Sequence, residues 1–194
     1  MKERDAKKIE LLEAGSAVML RQGYHGTGVQ EIVDAAGVPK GSFYNYFKSK
    51  EDFVIAAMEH ASRERIQDFE RALKDPTHPP AERIVRVFEA MRDAYVRENN
   101  YTKGCFVGNM CQEMADTHAA VAEKAEYLFR NYTTALARCI RESQGPARRG
   151  AGHDPDKLAE FIFNSWEGAM LRMKSSRNAH PLNTFIDTLK KLLA

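Results

Sequence analysis

Residues 28–51 read GVQEIVDAAGVPKGSFYNYFKSKE, and this stretch decides how the chain folds. Val29, Ile32, Val33 and Ala36 recur at three- and four-residue steps, the spacing that places apolar groups on one helical face. Gly37 follows the last of them, where a helix C-cap needs positive φ. Pro39 is suited to opening a new helix, because a first-turn N–H has no partner to lose. The second helix, residues 39–45, is too short to be a core element. Two short helices joined by a tight glycine turn make a helix-turn-helix unit. Its second helix carries Lys40, Ser42, Tyr44, Asn45 and Tyr46, which suit phosphate oxygens and base edges. Residues 37–50 hold three lysines, Lys40, Lys48 and Lys50, and no acid, so the local field favours an anion. Duplex DNA is the expected partner.

The rest of the composition is that of an ordinary globular chain. Its 194 residues are 43% hydrophobic and 29% charged, enough for an adequate core. No apolar run reaches the length of a membrane span, and residues 1–15 hold no apolar signal region, so a cytoplasmic location is expected. Net charge is only +2, so any basic patch must be local. Cys105, Cys111 and Cys139 have no metal-ligand spacing, nor do the six histidines. No metal, cofactor or catalytic residue is expected.

Helical periodicity runs nearly end to end, and the fold class is all-α with nine helices and no repeat. The first helix is expected over residues 5–22, with Ile9, Leu12, Ser16, Met19 and Leu20 inward and Gly23 closing it. Thr27 or Gly28 caps the second. Ser49 opens a long helix with Glu51 and Asp52 in its first turn. Prolines 76, 79 and 80 break the chain before a helix over residues 81–98. A short helix follows over residues 105–115, then a long one over residues 118–142. Residues 144–154 read as a mobile loop, and the last two helices start at Pro155 and Pro181.

Gly23-Tyr24, Thr27, Ile32, Ala36-Gly37-Val38, Lys40-Gly41-Ser42-Phe43-Tyr44, Tyr46-Phe47 and Ser49-Lys50-Glu51 resemble the N-terminal domain of TetR/AcrR-type transcriptional regulators. The likeness covers roughly residues 5–55. It implies a helix-turn-helix domain over residues 1–50 and a ligand-sensing, dimerising helical domain over residues 51–194. It makes Thr27, Tyr44 and Lys48 phosphate contacts and Lys40, Gly41, Ser42 and Asn45 the groove-facing set. Gly28 departs from the family's usual Ser or Thr and weakens the cap. Asn45 departs from a common His. Phe43 and Phe47 read as packing residues, and Tyr46 reads equally as packing or contact.

Lys103-Gly104-Cys105-Phe106, Glu113, Trp166-Glu167-Gly168 and Met173-Lys174 are similar to the electrophile-sensing subgroup, such as the repressor of N-ethylmaleimide reductase. That likeness makes Cys105 the sensor thiol. A position in the first turn of a helix and a nearby cation, Lys103 or Lys174, would favour its thiolate. The bland alternative is a small buried hydrophobe. Cys139 reads as inert core.

Phe88, Met91, Tyr95, Met110, Met114, Tyr127, Phe163 and Trp166 are candidates for an inter-helix ligand pocket, with plain core as the alternative. The last two helices carry apolar groups on several faces, among them Phe161, Trp166, Met170, Phe185, Leu189 and Leu192, which suggests an interface. A homodimer would present two reading heads to a palindromic operator. The expected function is a repressor released by a small molecule or by electrophile or oxidant modification of Cys105. A purely non-covalent hydrophobic inducer is one rival. A thiol-dependent enzyme is another, but no motif places a His or an acid beside Cys105. A non-DNA-binding adaptor would leave Lys40, Lys48 and Tyr44 without a purpose.

Overall fold

The helical periodicity is realised as nine α-helices among the described residues, which are 3–144 and 153–194 of a computed structural model. They are α1 (Glu3–Gln22), α2 (Val29–Ala35), α3 (Lys40–Tyr44), α4 (Lys50–Leu73), α5 (Pro80–Asn99), α6 (Phe106–Met114), α7 (Ala119–Gln144), α8 (Pro155–Ser176) and α9 (His180–Leu193). Residues 145–152 of the expected loop lie outside the described set. No helix among the described residues is long and apolar enough to cross a membrane.

The chain divides into two compact units, one of residues 1–64 and 106–128, the other of residues 65–105 and 129–194. This grouping by contact differs from a cut at residue 50. It adds the start of α4, all of α6 and the start of α7 to the helix-turn-helix.

In the first unit α1 packs on α2 and α6, and α2 on α3. The buried side of α1 is Leu11, Leu12, Gly15, Val18 and Met19. Ile9, Ser16 and Leu20, expected inward, are only half-buried. The face is turned by about one residue because Gly15 lets other helices come close. A β-carbon there would stand 2.5 Å from Phe53 Cζ and 2.8 Å from Ile32 Cγ2. Ile32, Val33, Phe43, Phe47, Phe53 and Met58 complete this part of the core.

The second unit is built on Phe69, Ile84, Phe88, Trp166, Met170, Leu182 and Ile186, with α9 packed on α8 and α5. Proline stands in the first turn of α5, α8 and α9, and Asp154 caps α8 by accepting from the N–H groups of Asp156 and Lys157. The break before α5 is tied down by the buried Arg83. Its guanidinium donates to the His78 carbonyl at 2.6 Å, the Leu73 carbonyl at 3.4 Å and Glu142 at 3.0 Å. Arg suits this position because its fork of donors is rigid.

Gly15→Ala sets two effects against each other. The helix gains about 0.5–1 kcal/mol of propensity, whereas overpacking costs about 1–3 kcal/mol. A net loss of about 1 kcal/mol or more is expected from urea unfolding. A raised midpoint would show that α1 can back away from Phe53 at no cost.

Candidate nucleic-acid interface and thiol site

The turn between α2 and α3 is made by Gly37 at φ 65°, where a side chain would be strained although space is open. Phe43, Phe47 and Phe53 anchor α3 from beneath, with ring centroids 5.1–5.7 Å apart. Both phenylalanines of this stretch are therefore core, as their spacing suggests. With those rings buried, Lys40, Gly41, Tyr44, Asn45 and Lys48 face solvent, Tyr44 at 57% exposure. Ser42 and Tyr46 are half-buried. Ser49 caps α4 by accepting from the Asp52 N–H at 3.0 Å, and Asp52 in return accepts from the Lys48 N–H at 2.9 Å. That pair holds Lys48 at the edge of the exposed face. Gly28 is the N-cap of α2 without a side chain, and Glu31 accepts its N–H instead.

Two expectations for this head need correction. Thr27 is buried at 1% exposure, and its hydroxyl donates to the Gly23 carbonyl at 2.7 Å. It closes the α1–α2 connector and presents no hydroxyl to a phosphate. Lys50, counted above as part of the positive window, turns inward. Its Nζ donates to the carbonyls of Tyr24 and Thr27, both at 2.9 Å, and lies 3.9 Å from the Tyr24 ring centroid. Burial lowers its pKa, while Glu31 and Glu113 oppose that shift. On the same connector the Tyr24 N–H donates to Glu113 Oε2 at 2.7 Å.

The thiol site belongs to the second unit. Cys105 immediately precedes α6, one residue ahead of its first turn, and follows Gly104, which is in the left-handed region at φ 67°. It is half-buried and packed against the core. The thiol donates a hydrogen bond to the Glu167 carboxylate of α8. Burial pushes Glu167 up to about 7, with that hydrogen bond opposing the rise. Tyr95 of α5 and Tyr132 of α7 complete the surroundings. Both phenols are held well above their ordinary pKa, first by burial and next by Cys105, with Arg65 opposing. Arg65 Nη1 donates to the Tyr95 hydroxyl at 3.3 Å.

No sequence motif places an acid beside Cys105, but the fold brings Glu167 there. The signal was available: Glu167 is the single acid between residues 161 and 177, within the apolar run of α8. Lys174 is half-buried in the last turn of α8, seven residues beyond Glu167 and so on the same helical face. None of the three cysteines is in a disulfide. Cys139 donates to the Pro80 carbonyl at 3.3 Å, and burial pushes its thiol up to about 11, as suits inert core.

The expected pocket residues do not form one set. Phe88, Tyr95, Phe163 and Trp166 are buried in the second unit, with Met91 packed against them, whereas Met110 and Met114 are core of the first. Tyr127 is 55% exposed with Lys124 over its ring, and is corrected to a surface residue. A groove of about 410 Å³ lies between α8 and α9, lined by Phe161, Ala169, Arg172, Phe185 and Leu192 among others, and by none of the eight.

A helix-turn-helix with an exposed basic, aromatic second helix, joined to a separate helical bundle, defines a DNA-binding regulator. The chain matches the tetR family of bacterial regulatory proteins over residues 11–57, and the tetracyclin repressor-like C-terminal domain over residues 80–189. It belongs to the TetR family and is a DNA-binding transcriptional regulator. It is 36% identical to the HTH-type transcriptional repressor DhaR of a Mycobacterium species, over 94% of this chain and 90% of that protein. It is 37% identical to the transcriptional regulator AcuR of Cereibacter sphaeroides, over 92% of this chain and 81% of that one. The crystal structure of the reduced form of Escherichia coli NemR superposes with a TM-score of 0.85 at 25% identity, over 97% of each chain.

The raised pKa of Glu167 has a consequence for stability. Between about 4.5 and about 7 the folded chain keeps a proton that the unfolded chain releases. Stability therefore falls as pH rises through that window, by at most about 1.4 kcal/mol per unit. Glu167→Gln removes this dependence, so the variant should gain on the wild type between pH 5 and pH 8. Urea unfolding at both values checks it, and an equal difference at each would show that the carboxylate is not held out of water.

Proposed function

We propose that the protein is a homodimeric repressor that leaves a palindromic operator when an electrophile or oxidant modifies Cys105. The observation that carries this reading is the half-buried thiol next to a hydrogen-bonded acid, one residue ahead of α6. At the far end of α6, Glu113 holds the α1–α2 connector of the reading head. A change at Cys105 thus has a covalent route of one nine-residue helix to the head. Release would follow if the modified form favours a conformation with lower DNA affinity.

On the DNA side, Lys40, Gly41, Ser42 and Asn45 would face the major groove, with Tyr44 and Lys48 on phosphates and Tyr46 at the margin. Dimerisation through α8 and α9 is supported by Phe161, 59% exposed and lining the α8–α9 groove, and by Leu171 of α8, 52% exposed. Trp166, Met170 and Leu189 are already buried within the protomer and are not available to a partner. Lys174, on the Glu167 face of α8, is the cation of this chain proposed to approach Cys105.

One observation favours a non-covalent inducer as a second reading. The indole N–H of Trp166 is fully buried and has no hydrogen-bond partner among the described residues, so a polar ligand group could satisfy it.

Lys48→Ala should weaken operator binding and lower the salt slope by about one per protomer. Tyr44→Phe should weaken binding by about 1 kcal/mol. Fluorescence anisotropy at several salt concentrations measures both, and unchanged binding and slope would remove these residues from the interface. Cys105→Ser should bind the operator like the wild type and no longer be released by N-ethylmaleimide. Release that persists in this variant would assign the response to another group.

A further inference from the structure

Four helices of the second unit converge on the Cys105 thiol with complementary chemistry. Glu167 on α8 accepts the thiol's hydrogen bond, Tyr95 on α5 and Tyr132 on α7 stand within electrostatic reach, and Arg65 on α4 faces the two phenols. A carboxylate beside a thiol opposes a resting thiolate. It is the arrangement of a nucleophile with a base in contact.

The phenols supply the other half. Arg65 donates to the Tyr95 oxygen, which leaves the Tyr95 O–H to donate and polarises it toward doing so. Burial keeps both phenols protonated, so they remain donors throughout the neutral range. Flat apolar walls adjoin them: Tyr132 is stacked on Phe163 at 5.0 Å, and Tyr95 lies 6.4 Å from Trp166.

We propose that Glu167 assists the modification of Cys105 by taking its proton, and that Tyr95 hydrogen-bonds the carbonyl oxygen when the acceptor is an α,β-unsaturated carbonyl compound. The proposal rests on the reading of Cys105 as the modified thiol and says how the modification is assisted. The Cys105 sulfur forms a bond to the β-carbon as its S–H bond breaks, and the proton passes to the Glu167 carboxylate. The π pair of the alkene moves toward the α-carbon and the carbonyl oxygen, where the Tyr95 O–H meets the growing charge. Glu167 then returns the proton to the α-carbon. The product is a thioether; nothing is oxidised, and no second reactant is needed.

Proton sharing sets the pH profile. Below about 7 Glu167 holds its own proton and cannot accept another. Above that value the thiol–carboxylate pair holds one proton between them, and the pair titrates as a unit. The test is the rate of Cys105 modification in the full-length protein between pH 5.5 and 9, followed by intact mass and peptide mapping. Two probes are used: methyl vinyl ketone, which builds charge on a carbonyl oxygen, and iodoacetamide, which reacts by displacement.

In the wild type both rates should rise about tenfold per unit to pH 7 and then level. Glu167→Gln should lose that break and slow at least tenfold at pH 7.5 with both probes, a size within the about 10²–10⁴-fold range of general-base assistance. Glu167→Asp should restore the break in part. Tyr95→Phe should slow methyl vinyl ketone severalfold and leave iodoacetamide unchanged, a split that a packing role would not produce. If Cys105 of the wild type is not the cysteine modified first, the sensor reading and this inference fall together. If Cys105 reacts first but Glu167→Gln keeps the wild-type profile, or Tyr95→Phe slows both probes equally, this inference alone is overturned.

Discussion

The reading head depends on how six residues of connector between α1 and α2 are satisfied. Helix ends leave backbone donors and acceptors without partners, and here two such ends lie within one short stretch. Lys50 donates to the Tyr24 and Thr27 carbonyls, Glu113 accepts the Tyr24 N–H, and Thr27 donates to the Gly23 carbonyl. Gly23 has φ 77°, and a β-carbon there would stand 2.7 Å from Glu113 Oε2, so the acid and the glycine require one another. Opposite charges thus grip a few peptide groups from two sides. Losing either would strand partly buried backbone groups at a cost of about 1–3 kcal/mol each. Four helices, α1, α2, α4 and α6, are fixed relative to each other at this point, and the exposed face of α3 is built upon them.

The local features of the head were legible because each answers to local rules. Gly37 must turn, Phe43 and Phe47 must be buried for so short a helix to hold, and Ser49 must cap. The miscounted groups, Thr27 and Lys50, failed for one reason. A polar side chain in a window of polar side chains has no periodicity to say whether it turns outward or back onto the chain. Their partners are backbone carbonyls, which no residue type reveals. The inner face of α1 departs from its hydrophobic pattern for a related reason, since Gly15 counts as neutral there yet lets Phe53 and Ile32 approach closely.

Cys105 shows the limit from the other direction. A cation beside the thiol was the natural expectation, because the reactive cysteines most easily rationalised are those with lowered pKa. The structure gives the thiol an acid that is itself reluctant to ionise. These two designs differ in what they protect. A resting thiolate is open to any oxidant or alkylating agent at all times. A thiol that loses its proton only when a base of matched pKa takes it stays quiescent until an acceptor is in place. The bundle can hold such a base because Glu167 sits among apolar side chains of α8, where desolvation raises its pKa into the neutral range.

The two ends of α6 join these arguments. The residue before it is the thiol, and its last turn carries the acid that grips the connector. Nine residues of helix are stiff over this length, so a displacement at one end cannot be absorbed within the element. Along its length α6 is anchored by Phe106, Val107, Met110 and Met114, all buried. Close-packed side chains of this kind resist gradual sliding and favour discrete alternatives. Any shift large enough to matter must therefore repack this apolar face or loosen the Glu113 contact. The second is the easier, since a carboxylate at a half-exposed position can exchange a backbone N–H for water, whereas a buried methionine has no such substitute.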